Sequence, residues 1–264
     1  MLIDINAHLG HYPFRQLRYN DTPGLLSLMD RNNIHKAVVS SLHAVFYRDA
    51  HRGNEELTDW VSEAPERLIP LATVNPTYAG WERDMDQALT EWNMKGIRLV
   101  PQYHGYSLTD ASGQKALAVA AEHGVPVVLP QRLEDRRQKH HFDEARDLSF
   151  DEVLAAARLH PDLRVVFLNW LGINGGALVE AGMKERVLID LTRMPVVLQK
   201  DLPSLIEILG IGSVAFGTHI PLTTPVHHSS NWNFLTFLPE TENASPGRTR
   251  RRSSGLRICN ETSP

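Results

Sequence analysis

The chain has 264 residues, 42% of them hydrophobic and 22% charged, with a formal net charge of −4. This is ordinary globular composition, without the charge excess that would recruit nucleic acid or an anionic membrane. A single cysteine, Cys259, excludes an internal disulfide and fits a reducing, cytoplasmic compartment; neither a signal peptide nor a run of ~18 apolar residues is visible.

Short β-branched apolar runs predict strands at residues 2–6, 36–40, 68–74, 96–100, 126–129, 164–168, 187–191 and 214–216. Several are apolar without alternation, the pattern of strands buried on both faces. Amphipathic stretches predict helices between them. The first, 22–32, opens with Thr22-Pro23, a cap residue followed by proline. The second, 54–64, places Leu57, Trp60 and Val61 on one face and stops before Pro65. Helices at 80–92 and 112–123 follow, the latter with Gly124 as its C-terminal glycine. Ser149 and Glu152 form a capping-box pattern at the start of 149–160. A short helix at 175–181 and a longer one at 196–209 complete the series.

Strict strand–helix alternation implies a parallel sheet, and eight repeats favour a closed (β/α)8 barrel over an open doubly wound sheet. No glycine-rich phosphate loop follows the first strand, which counts against a dinucleotide fold. The expected organisation is an α/β barrel over residues 1–225 and an atypical, disordered tail over 226–264. The tail is rich in Ser, Thr, Arg, Asn and Pro, and the eighth helix is missing or replaced. Arg250-Arg251-Arg252 reads as part of that solvated tail rather than as a nucleic-acid element.

These residues also carry a resemblance. Ile3-Asp4-Ile5-Asn6-Ala7-His8-Leu9-Gly10 resembles the first-strand IDxHxHxG signature of the amidohydrolase superfamily, closest to its amidohydrolase-related (amidohydrolase 2) branch. Lys95-Gly96-Ile97-Arg98-Leu99 resembles the fourth strand, and Gly124-Val125-Pro126-Val127-Val128 the fifth. Asn169-Trp170-Leu171-Gly172 resembles the sixth-strand HxGG region, and Phe216-Gly217-Thr218-His219-Ile220-Pro221 the eighth-strand FGSDxP. The tail departs from the family, whose chains close with a helix carrying an NA-x-x-LL pattern. Read one nucleotide earlier with permissible codons, residues 244–254 can yield a Trp-Glu-Asn-Ala-Ala-Ala-Leu-Leu segment of that kind. A frameshift, natural or a sequencing error, accounts for such a tail.

The resemblance implies a metal site. Two histidines from the first strand, one each from the fifth and sixth, and an aspartate from the eighth would hold zinc or another divalent ion to activate water. In this chain Asn6 stands at the first of those places and only His8 remains of the pair. Pro130-Gln131, Asn169 and His219 occupy the others. Neutral amides are poor zinc ligands, so no tight metal is expected; His8 and His219 could at most form a weak two-histidine site.

The mouth of such a barrel hosts its chemistry. His8, His219 and Asp190 are the candidate catalytic residues. Asn6, Arg98, Tyr103, His104, Gln131, Arg132 and Asn169 are the candidate substrate contacts. Arginines among amides and aromatics suit a small carboxylate, because guanidinium pairs with it bidentately. Each residue also has an ordinary structural reading, a hydrogen-bonded side chain at a strand end, and Glu134-Asp135-Arg136-Arg137 reads equally as a solvated charge cluster. The expected function is a metal-independent hydrolase of a small carboxylate-bearing lactone, amide or ester, in a chain that forms a homodimer as its relatives often do. The alternatives are a catalytically silent ligand-binding barrel and a metal-dependent hydrolase or decarboxylase. Resequencing the gene tests the frameshift: absence of a frame-compatible segment excludes it.

Overall fold

The computed structural model describes residues 1–192 and 201–223. The expected tail, its frameshift, the missing eighth helix and residues 196–200 of the last expected helix lie outside the described residues. The elements run β1 (Ile3–Leu9), α1 (Thr22–Arg31), β2 (Lys36–Ser41), α2 (His43–Phe46), α3 (Ala50–Ser62), β3 (Leu68–Pro70) and β4 (Ala72–Val74). They continue with α4 (Trp81–Thr90), β5 (Ile97–Leu99), α5 (Pro101–His104), α6 (Ala111–Glu122), β6 (Val127–Pro130), α7 (Phe150–Arg158) and β7 (Val165–Leu168). The series ends with α8 (Gly175–Glu180), β8 (Val187–Asp190), α9 (Asp201–Leu209) and β9 (Val214–Ala215).

Every strand pair is parallel. The order is β1-β2-β3 in one sheet and β4 through β9 in the other. The stretch expected as one strand over 68–74 is therefore two, broken at Leu71. Its amide still donates to Val39 O at 2.8 Å, so the ring of strands continues through the break. At the other end, Ile5 N donates to Phe216 O (2.9 Å), His219 N to Asn6 O (2.7 Å) and His8 N to Ile220 O (2.8 Å). These bonds tie the last strand position to the first, and the architecture is the expected α/β barrel. Among the described residues no helix is long and apolar enough to cross a membrane.

Strand registers sort side chains into two layers. Ala37, Ala72, Ile97, Val127, Val165 and Val187 face the surrounding helices in the main core. Val38, Leu71, Val128 and Leu168 form a separate cluster with Ile3, Ile5, Ile69 and Val166 that fills the barrel interior. The two-layer division is what a closed barrel of alternating side chains requires.

Helix starts differ from expectation where a nearby donor competes. Asp21, not Thr22, caps α1, accepting from Gly24 N at 2.9 Å, while the Thr22 hydroxyl donates to Trp60 O. The capping box at Ser149 is not formed. Glu152 instead accepts from Leu108 N (2.7 Å) and the Ser107 hydroxyl (2.8 Å), fastening the loop before α6. Helix α3 begins four residues earlier than expected, capped by Asp49. Asn54 thus sits inside it and faces β4, where its amide donates to Thr73 O and accepts from Thr73 N, both at 2.8 Å. With the ladder interrupted at Leu71, Asn54 supplies the pairing that the backbone of Thr73 would otherwise lack. Asn54→Ala is expected to cost about 2–3 kcal/mol, because it strands two buried backbone groups, measured as a lower urea midpoint at unchanged m-value.

Candidate active site

The site begins with an irregularity in β1. Asp4 pairs with Ala37 and Ala7 with Val39, so Ile5 and Asn6 together oppose the single residue Val38. This is a β-bulge, which re-aims the side chains beyond it. Ile5 packs in the barrel interior, while Ala7 and Leu9 pack outward against the helices. Asn6 and His8 accordingly turn inward at the C-terminal end of the barrel, where both are fully buried. Simple alternation from Ile5 would have sent Asn6 outward.

Arg98 on β5, Asn169 after β7, Asp190 at the end of β8 and His219 after β9 converge on this pair. The Asn6 amide donates to Asp190 Oδ2 (2.7 Å) and Asn169 Oδ1 (3.1 Å). Asp190 also accepts from Asn169 N (2.8 Å) and the Thr192 hydroxyl (2.6 Å). Asn169 and His219 both hold left-handed backbone, φ 59° and 60°. Asparagine and histidine are among the non-glycine residues that adopt it most readily, and the surroundings fix it here. Asp4 does part of that fixing, accepting from Thr218 N (3.0 Å), the Thr218 hydroxyl (2.5 Å) and Asn6 N (2.9 Å). Gly217 allows the close approach: a Cβ there would lie 2.8 Å from Asp190 Oδ2.

The hydrogen bonds assign both tautomers. His219 Nε2 is 2.5 Å from Leu133 O, a pure acceptor, so Nε2 carries the proton. His219 Nδ1 is then a lone pair, receiving Asn169 Nδ2 (3.1 Å) and His8 Nε2 (3.2 Å). His8 Nε2 then donates and His8 Nδ1 keeps its lone pair, while Arg98 Nη1 lies against the ring, 2.9 Å from Nδ1 and 3.2 Å from Nε2. Burial first, then the Arg98 charge and His219, push the His8 pKa well below its ordinary value, so the ring is neutral. Burial lowers Arg98 to about 9, opposed by attraction to Asp190. Burial raises Asp190, against its hydrogen bonds and Arg98, and raises Asp4 to about 6. Nε and Nη2 of Arg98 are buried and find no hydrogen-bond partner among the described residues.

The residues present fit a divalent ion poorly. The Nε2 of His219 is committed to Leu133 O, His8 Nε2 to His219, and a guanidinium lies against the His8 ring. Both oxygens of Asp190 are taken by donors. Among the described residues no group of three or more histidine, cysteine, aspartate or glutamate side chains is arranged to hold an ion.

The segment between β6 and α7, residues 131–149, closes over the mouth. Its Leu133 and Arg132 carbonyls accept from His219 and Asn169. Glu134 is buried and pairs with Arg15 at 2.9 Å, and Asp143 accepts from Tyr12 (3.3 Å) and Tyr103 (3.0 Å). The charge cluster read from the sequence thus divides: Glu134 clasps the segment, while exposed Arg137 pairs locally with Asp135 and Arg136 reaches Asp147.

Six of the ten expected site residues meet directly: Asn6, His8, Arg98, Asn169, Asp190 and His219. The other four belong to the surrounding layer. Arg132 pairs with Asp147, and Gln131 bridges to the backbone of Leu171. Tyr103 holds Asp143, while His104 contacts Val45 O at 3.2 Å and is lowered to about 4, mainly by burial. The sequence pointed to no role for Asp4, for Thr218, or for Ser40, whose hydroxyl lies 3.4 Å from His8 Nδ1. The one available signal was Asp4, a carboxylate between Ile3 and Ile5 in the first strand.

An α/β barrel with its polar constellation at the C-terminal strand ends is the architecture of amidohydrolase-type enzymes. The family model described as Amidohydrolase matches residues 3–247, and the chain belongs to that family. No curated protein matches it. Among solved structures, 5-carboxyvanillate decarboxylase from Sphingomonas paucimobilis is similar with TM-score 0.60 and 14% identity, covering 85% of this chain and 90% of that one. A probable 2-pyrone-4,6-dicarboxylic acid hydrolase from Acinetobacter baumannii, with citric acid bound, gives TM-score 0.56 and 13% identity over 84% and 85%. A manganese-bound 5-carboxyvanillate decarboxylase from Novosphingobium aromaticivorans gives 0.57 and 16% over 76% and 71%. At these identities the likeness is one of fold.

The buried ionisable groups predict opposite pH effects. His8 is neutral in the fold but protonates in the unfolded chain below the ordinary histidine value of 6.5, so its contribution is present above that pH and is lost as pH falls. Asp4, raised from 3.8 to about 6, contributes fully below about 4 and loses that contribution as pH rises through 6. The stability difference between wild type and His8→Gln is therefore expected to shrink from pH 7 to pH 5, by at most about 1.4 kcal/mol per pH unit. Urea titrations at each pH measure it, and a flat difference contradicts the neutral assignment.

Proposed function

We propose that the chain is a hydrolase acting on a small carboxylate-bearing lactone, amide or ester, without a metal. The observation that carries this reading is the unmet edge of Arg98. A fully buried guanidinium with two unpartnered N–H groups is costly, and a planar carboxylate satisfies both donors at once. The carboxylate-bearing ligands named for the neighbouring folds, citric acid and a nitrobenzoic acid, agree with that chemistry.

His8 is the proton-transfer residue. Its ring is neutral, its Nε2–H is steered by His219, and its Nδ1 lone pair lies against Arg98. A water or substrate hydroxyl that replaces the Arg98 Nη1 contact is activated at that nitrogen. Asp190, saturated by donors from Asn6, Asn169 and Thr192, is read as a positioning residue and not a base. His219 orients His8 and ties the covering segment through Leu133. With no metal, the positive charge beside the reacting group comes from Arg98. The single cysteine supports a cytoplasmic setting.

A decarboxylase reading is favoured by the decarboxylases among the similar folds. A screen of lactones, aryl carboxylates and amides separates the two, since one reaction consumes water and the other releases carbon dioxide. His8→Ala is expected to lower kcat by about 10²–10⁴-fold. Arg98→Lys keeps the charge but loses the fork, and is expected to raise KM about tenfold or more. Stoichiometric zinc or manganese required for turnover overturns the metal-free part. Ligand binding without turnover on any substrate favours a silent binding barrel.

A further inference from the structure

Thr73 lies in register with Arg98 on the adjacent parallel strand. Residues paired in this way share a face, and the registers bear this out: Ala72, Ile97 and Val127 all face the helices. Arg98 in turn pairs with Val128, which packs inside the barrel. Thr73 is therefore turned to the barrel interior beside Arg98. It is 1% exposed, and its hydroxyl oxygen is buried without a hydrogen-bond partner among the described residues. Two neighbouring side chains on one interior face thus carry three unmet polar groups: Arg98 Nε, Arg98 Nη2 and Thr73 Oγ1.

Burying such a group without a partner is destabilising, and all three can donate to one acceptor. The arrangement is also held in place. Asn54 grips the N–H and C=O of Thr73 from the helix side, so β4 keeps its position although its ladder is broken at Leu71. Leu71 precedes Thr73 on the same interior face, Val128 lies level with Arg98, and both belong to the apolar interior cluster. Above lies His8, whose Nδ1 faces Arg98.

Resting on the reading of Arg98 above, we infer that Thr73 and Arg98 together form the cradle of the ligand's carboxylate. The guanidinium edge takes the carboxylate in its plane, and the Thr73 hydroxyl donates a third hydrogen bond. This makes Thr73 a specificity-determining residue. All three groups donate to a carboxylate, whereas a neutral amide would turn its NH2 toward N–H donors. The cradle places the carboxylate at the floor and the rest of the ligand toward His8, which favours molecules whose reacting group is a short distance from an acid group.

Direct binding tests this without relying on turnover. Acetate and benzoate, with benzamide as the neutral isostere of benzoate, are titrated calorimetrically into the full chain. Saturable binding of at least one carboxylate is expected, with benzamide about tenfold weaker than benzoate or worse. Thr73→Val keeps the shape and removes the hydroxyl, and is expected to weaken the carboxylate about tenfold. Thr73→Ser restores the donor and is expected to return affinity to within about twofold of wild type. Melting temperatures show whether each variant is folded; should Thr73→Val not fold, Thr73→Ala against Thr73→Ser makes the same comparison. Unchanged affinity without the hydroxyl, combined with weakening in Arg98→Lys, overturns the role of Thr73 and leaves that of Arg98. Unchanged affinity in Arg98→Lys, equal binding of benzamide, or no saturable binding of either carboxylate overturns both.

Discussion

The arrangement of the site depends on the bulge in β1. Placing Ile5 and Asn6 opposite Val38 lets one short strand serve two purposes. Below the bulge it contributes Ile3 and Ile5 to the apolar interior. Above it, Asn6 and His8 turn inward at the barrel mouth. Asp4 compensates the local disruption by accepting from the Asn6 amide, and the same carboxylate reaches Thr218 across the closure of the barrel. A single irregularity thus couples the closing of the barrel to the placement of His8 and His219.

The electrostatics follow from burying a guanidinium in the middle of that mouth. A divalent ion surrounded by imidazole and carboxylate would bring its own charge and take several anionic ligands. Here the positive charge is covalently attached at Arg98, and the surrounding residues answer it with neutral groups: two imidazoles in defined tautomers and two amides. Asp190 is the carboxylate whose attraction opposes the drop in the Arg98 pKa, yet its oxygens are occupied by Asn6, Asn169 and Thr192. The guanidinium edge is consequently left facing the interior, with Thr73 alongside.

Covering this polar centre requires a long segment with its own anchors. Residues 131–149 are held over the mouth by buried Glu134 and Asp143, which receive Arg15, Tyr12 and Tyr103 from other elements. Long connections with internal anchoring are characteristic of functional loops. Two of the expected ligand contacts, Tyr103 and Arg132, are spent on securing this cover or its neighbours rather than on the centre itself.

The alternation of elements, the parallel barrel and the family signature were legible along the chain, as were ten candidate residues of which six meet at the mouth. These are local properties: apolar runs, turn residues and the order of motifs along the chain. The exchange of expected metal ligands for Asn6, Gln131, Asn169 and His219 was legible for the same reason. Which donors satisfy which acceptors was settled by packing between distant elements. The capping pattern at Ser149 was locally sound, but Glu152 bonds the loop before α6, and Asn54, which looked like a helix start, pairs with Thr73 of β4. Thr73 itself carried no signal, being an ordinary threonine in an apolar strand. Strand register sets it beside Arg98, and among the described residues its hydroxyl has no partner. Long-range pairing of buried polar groups depends on which strands and helices come together in space, and a linear pattern does not contain that information.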